Sequence, residues 1–142
     1  MRCVDVNVLV DAHRLESRRH ESTRSWLEVA RSRSEPLAVP GIVVSGFLRV
    51  VTHPRVFVEP TPVAEALGFV DALLASPAST WAEPGPRHQR IFLDLCAEME
   101  LRGNDVPDAY IAAIVIELGA SLVTSDVGFA RFPSLRWERP AA

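Results

Sequence analysis

A three-layer α/β/α sandwich around a central, mainly parallel sheet is the fold class this sequence predicts. Three observations carry it. Short runs rich in Val and Leu alternate along the chain with longer segments whose apolar residues recur at helical spacing. That alternation implies parallel strands joined by right-handed crossovers. The stretch from Ala109 to Ile116 is apolar on nearly all sides, so its helix must lie at the centre of the domain. A chain of 142 residues that is 48% hydrophobic buries roughly two thirds of its unfolded surface, enough for one domain over residues 1–142 without disulfides or a structural metal.

The elements follow in order. Arg2 to Val6 reads as a strand, with a helical turn after it through Val8, Leu9, Val10 and Ala12. Trp26, Leu27 and Ala30 mark the apolar stripe of the next helix, which ends before Pro36, and Leu37 to Val39 is a second strand stopped by Pro40 and Gly41. Ile42 to Val51 is rich in Val and Ile, so propensity alone does not separate strand from helix, and it is assigned as helix. Thr61 reads as an N-cap with Pro62 at the first helical position, ahead of Val63, Leu67, Val70 and Leu74. Thr80 to Ala82 is a third strand. Ile91, Leu95 and Met99 form the stripe of a helix closed by Gly103. Pro107 and Asp108 open the apolar helix that Gly119 ends. Ser121 to Thr124 is a strand leading to Asp126, and Leu135 to Trp137 is an edge strand.

Composition removes several functions. All 15 cations are Arg and there is no Lys, which counts against P-loop nucleotide binding, pyridoxal Schiff bases, phospho-acceptor receivers and aspartyl-phosphate phosphatases. Two cysteines, Cys3 and Cys96, cannot build a Cys-rich zinc site. The longest apolar run is too short for a membrane span of about 20 residues, and Asp5 and Asp11 interrupt what would be the core of a signal peptide. A cytosolic protein is expected. The formal net charge of −3 argues against a simple phosphate-coating nucleic-acid binder, but not against an enzyme that gathers acids in one site.

In open parallel sheets, chemistry collects outside the carboxyl ends of the strands. Three aspartates fall there. Asp5 closes the first strand, Asp126 closes the strand after the apolar helix, and Asp108 stands at that helix's N-terminus. Each alone is an ordinary helix cap. Together, at about 5 Å, they would repel by roughly 3 kcal/mol per pair at an effective dielectric near 20, so gathering them calls for a cation. Oxygen ligands without nearby His or Cys suit Mg2+ or Mn2+ with room left for a phosphate. Asn7 and Thr124 would orient Asp5 and Asp126 by hydrogen bonds.

With those residues in view, the chain resembles the PIN-domain ribonucleases, and among them the VapC toxins of type II toxin–antitoxin systems. The resemblance rests on the D-x-N of Asp5 and Asn7, on VPDAYIAA around Asp108, on LVTSD ending at Asp126 and on FARFPSLRW, and covers roughly residues 2 to 137. It implies a Mg2+-dependent endoribonuclease in which Asp5, Asp108 and Asp126 are the acidic ligands. One ligand departs from the pattern, because the usual Glu three residues before an Arg is Gly46, ahead of Arg49 in VVSGFLRVV. Asp105 would lean into the site and restore the charge. With water as nucleophile no histidine pair is required, and His13, His20, His53 and His88 show no metal or acid–base spacing.

Cations are expected on the rim of such a pocket. Arg14, Arg18, Arg19 and Arg24 cluster after the first helix, and Arg49 and Arg55 flank the next loop; Arg14, Arg18, Arg19 and Arg49 are the RNA-contact candidates, against a plain solvated face. The resemblance further implies a structured RNA substrate (tRNA or a ribosomal loop), a homodimer, and a cognate antitoxin. Trp26, Phe47, Phe57 and Phe69 are candidates for core or interface. Two rivals stand beside this reading. Gly46 favours a catalytically weakened PIN-like module that binds RNA or protein, whereas a phosphatase with its nucleophile at Asp5 is opposed by Asn7 and the missing lysine.

Overall fold

The computed structural model describes residues 1–140; the two residues that complete the expected 1–142 domain lie outside the described ones. The elements run β1 (Arg2–Val4), α1 (Val6–His13), α2 (His20–Ser32), β2 (Leu37–Pro40), α3 (Gly41–Val51), α4 (Val63–Leu74), β3 (Ser79–Ala82), α5 (His88–Glu98), α6 (Asp105–Leu118), β4 (Ser121–Val123), a 3-10 turn over Val127–Arg131, and β5 (Arg136–Glu138). All four strand pairings are parallel, in the order β3-β2-β1-β4-β5. On one side α1 packs on α2 and α3, and α3 on α4; on the other α5 pairs with α6. The outcome is the three-layer α/β/α sandwich. Among the described residues no helix is long and apolar enough to cross a membrane.

The core lies where the short strands meet the helices. Val4, Val39 and Leu122 from the sheet, Val8 and Leu9 from α1, Phe47 from α3 and Phe129 from the 3-10 turn are all fully or almost fully buried. Each large side chain there contributes roughly 1.5–3 kcal/mol of transfer free energy. Ala109 and the run Ile111–Val115 of α6 are buried as well, which makes α6 the central helix its composition demanded. Trp26 and Phe47 are core residues, and Phe57 and Phe69 pack against that core.

Several strand and helix ends shift by a residue from the sequence expectation, and four boundaries differ for a local reason that the structure shows. β1 ends at Val4, not Val6, because the Asp5 side chain accepts from the Val6 N–H and starts α1 at once. Asn7 therefore sits in a helix. Thr61 does not cap α4: Pro62 precedes the helix, and the Thr61 hydroxyl is buried against His13 and Arg14. α5 stops at Glu98, since Glu100 turns left-handed at φ 49°, well before Gly103. Gly103 takes φ 59° in the tight turn into α6, which starts at Asp105 instead of Pro107. Asp108 thus lies within the first helical turn.

Candidate metal centre

Register builds the site. Val4 pairs with Val123 across β1 and β4, so the next residues, Asp5 and Thr124, emerge side by side at the carboxyl ends of neighbouring strands. The Asp5 carboxylate is held by three donors. Oδ1 accepts from the Val6 N–H at 2.7 Å, and Oδ2 accepts from the Thr124 hydroxyl at 2.7 Å and from Asn7 Nδ2 at 2.9 Å. Asn7 Nδ2 also reaches Thr124 Oγ1 at 3.0 Å, while its Oδ1 accepts from the Ser125 N–H at 2.9 Å. Thr124 Oγ1 in turn accepts from the Asp126 N–H at 3.0 Å. The D-x-N motif and the Thr-x-Asp end of β4 thus form one network across the sheet.

Asp5 is only 4% exposed. Burial pushes its carboxyl above the ordinary carboxylate range; the bonds from Thr124, Val6 and Asn7 oppose the rise, and repulsion from Asp108 adds to it. Asp108 is also raised, first by burial, with the Arg131 guanidinium pulling down and Asp126 and Asp105 pushing up. The acids feel one another.

Asp5, Asp108 and Asp126 all line one cavity of about 580 Å³. Asn7, Ser45 and Arg49 add polar wall, and Val10, Ile42, Val50, Ile111 and Phe129 add an apolar one. Two further acids, one inside the cavity and one outside it, depart from the sequence reading. Asp11 lines the cavity four residues after Asn7, on the same face of α1, with Ser17 Oγ donating to its Oδ1 at 2.7 Å. Starting the helical turn at Val6, so that it includes Asn7, would have exposed that i, i+4 pair. Asp105 does not line the cavity; its Oδ1 accepts from Arg131 Nη2 at 2.9 Å. Arg131 was absent from the sequence candidates, and nothing in the spacing of FARFPSLRW signals its contact 23 residues back with Asp108.

The rim arginines divide. Arg49 lines the cavity. Arg14 is committed to the fold: it pairs with Glu16 at 2.5 Å, donates to the Glu59 carbonyl at 2.9 Å and to Thr61 Oγ1 at 3.0 Å, and stacks 4.0 Å over Phe57. Those four contacts remove it from the RNA-contact set. Arg18 and Arg19 are exposed in the α1–α2 connection and do not line the cavity. Gly46 has a packing reason. A Cβ there would lie 2.8 Å from Val6 Cγ2, so α3 sits close against α1 and a side chain at this position requires Val6 to shift.

A hard divalent cation suits the donor chemistry, because every candidate ligand in the cavity is a carboxylate or amide oxygen and no His or Cys lines it. Cys3, buried below Asp5, is pushed up to about 12 by burial and by Asp5, and stays a thiol. The carboxylates rest on protein donors: Asp126 Oδ1 accepts from the Gly128 N–H at 2.8 Å, and Asp108 Oδ2 from Arg131 at 3.1 Å. Accordingly, among the described residues no three acidic, His or Cys side chains already surround a common point.

Fold and cavity together define a small parallel α/β domain with an acidic site at the carboxyl ends of β1 and β4. The comparisons narrow this. Residues 2–135 match the PIN domain, and the chain belongs to that family. Ribonuclease VapC43 of Mycobacterium tuberculosis is 49% identical over 140 residues, covering 99% of this chain and 95% of the relative. The structure of VapBC2 from Rickettsia felis bound to a promoter DNA fragment aligns at a TM-score of 0.74 with 21% identity over 97% of both chains. VapC20 of Mycobacterium tuberculosis, described as a Sarcin-Ricin loop cleaving toxin, aligns at 0.69 with 12% identity over 96% of this chain and 99% of that one.

Proposed function

We propose that this protein is a metal-dependent endoribonuclease, the toxin of a toxin–antitoxin pair, with Asp5, Asp108 and Asp126 as metal ligands. One observation carries the reading: acids from three separate elements open on the same cavity, and the most buried of them is held by Thr124 and Asn7. The family relationship to VapC ribonucleases supports the reaction class. Mg2+ or Mn2+ fits the oxygen donors and, when bound, supplies an acidified water and neutralises charge on the scissile phosphate.

The chain's own groups do the remaining work. Thr124 and Asn7 fix the Asp5 carboxylate, so its second oxygen edge keeps one orientation toward the cavity. Arg49 stands on the wall to meet the RNA backbone, with Arg18 and Arg19 as outlying contacts. The apolar wall of Val10, Ile42 and Ile111 offers a surface for an unpaired base, which agrees with a structured RNA such as tRNA or a ribosomal loop as substrate. A homodimer and a cognate antitoxin complete the proposed partners.

Gly46, where the family usually carries a Glu, favours a second reading, a catalytically weakened binding module. Purified protein incubated with total RNA in Mg2+ or in EDTA, followed by mapping of new 5′ ends, separates the two. Discrete new ends that need Mg2+ and vanish in Asp108→Asn are expected. Mg2+-dependent cleavage that survives Asp108→Asn refutes the placement of the site, and no cleavage at all refutes the ribonuclease reading in favour of the binding module.

A further inference from the structure

We propose that Arg131 is a positioning residue that braces Asp108 from outside the cavity, with Asp105 as its anchor and not as a metal ligand; the inference rests on the metal-site reading above. Nη2 of Arg131 is shared between Asp105 Oδ1 at 2.9 Å and Asp108 Oδ2 at 3.1 Å. Nη1 donates to the Gly128 carbonyl, and the guanidinium carbon lies 4.5 Å over the ring of buried Phe132. The head group is therefore fixed on three acceptors and an aromatic face. Asp108 lines the cavity and Arg131 does not, so the guanidinium grips the carboxylate without filling the space in front of it.

Helical spacing explains why a brace is needed. Asp105 and Asp108 stand i, i+3 on the first turn of α6, where like charges repel, and Asp126 adds a third charge across the cavity. An unbraced Asp108 would swing toward water. The loop that supplies the brace also supplies Asp126. Asp126 opens the 3-10 turn and Arg131 closes it, and between them Gly128 leaves room that a Cβ would fill, at 2.9 Å from Asp126 Oδ1 and 3.0 Å from Arg131 Nη1. One short turn thus sets two of the three proposed ligands relative to each other. Hydrogen-bonded partners of ligating carboxylates typically govern metal affinity by 10–100-fold.

Mn2+ titration calorimetry on the folded full chain tests this, with a metal-free thermal melt beside it. Arg131→Lys keeps the charge but lacks the planar fork that holds the Gly128 carbonyl through Nη1 while Nη2 serves both carboxylates. It is expected to weaken Mn2+ binding about tenfold, and Arg131→Gln by at least as much. Asp105→Asn should weaken it less than Asp126→Asn. An Arg131→Lys chain that binds Mn2+ as its parent does, or an Arg131→Gln chain that binds more tightly, overturns the proposal. In EDTA, the melting shift caused by Arg131→Gln is expected to shrink once Asp105 and Asp108 are both Asn, leaving only the part due to Gly128 and Phe132; an equal shift in both backgrounds overturns the brace whatever the metal does. Failure of the metal-site reading looks different: the parent and Asp108→Asn would then share the same Mn2+ isotherm.

Discussion

Gly46 offers the sharpest test of the packing that shapes the cavity. It sits in the middle of α3, where replacing Gly by Ala normally stabilises a helix by about 1 kcal/mol. Here the added methyl would lie 2.8 Å from Val6 Cγ2, well inside contact distance. Overpacking of that kind typically destabilises by about 1–3 kcal/mol. The two effects leave Gly46→Ala destabilised by about 0–2 kcal/mol net. Removing the obstacle should reverse the sign: in a Val6→Ala background the same substitution is expected to stabilise by about 1 kcal/mol, close to the intrinsic helix preference. Urea unfolding of the four proteins in EDTA measures both steps of the cycle. A Gly46→Ala chain that gains about 1 kcal/mol in the parent background would show that α1 and α3 do not constrain this position. The absent Glu would then need another explanation.

Thr124→Val removes a buried hydroxyl that donates to Asp5 and accepts from the Asp126 N–H, so the variant should lose about 1–3 kcal/mol in denaturant titration and most of its RNA cleavage. Arg14→Ala should lower stability by about 1 kcal/mol while leaving cleavage near the parent rate, and Arg49→Ala should do the opposite; equal effects on cleavage would contradict the division of roles. The pH dependence follows from Asp5. Its folded carboxyl is raised above the unfolded value, so the stability it contributes is complete below the unfolded pKa and is lost as pH rises through the folded one. In EDTA, the parent should therefore lose stability relative to Asp5→Asn as pH increases above the ordinary carboxylate range, and a pH-independent difference would refute the burial argument.

Much of the sandwich was legible because its signals are local. The all-round apolar α6, the helical spacing through Val63, Val70 and Leu74, and the short apolar stretches of β1 and β4 are each local to one segment of the chain. Boundaries were less legible, since they turn on single side chains. Asp5 ended β1 two residues early by bonding to the Val6 N–H, and Thr61 left its helix to serve Arg14 and His13. Asp11 stayed hidden because Asn7 was not read as part of the helical turn that it shares with Asp11.

By itself, the sequence determined that one α/β domain places Asp5, Asp108 and Asp126 near the carboxyl ends of parallel strands, because strand–helix alternation and chain direction leave few other topologies. Tertiary structure alone decided what surrounds those carboxylates. The Val4–Val123 register brings Thr124 onto Asp5 across 119 residues, α3 presses Gly46 against Val6, and the turn ending at Arg131 grips Asp108 while Arg14 is drawn away into Phe57. Periodicity carries information about which face of an element is apolar. The partner of a given polar atom depends on how distant elements pack, and no local pattern encodes it.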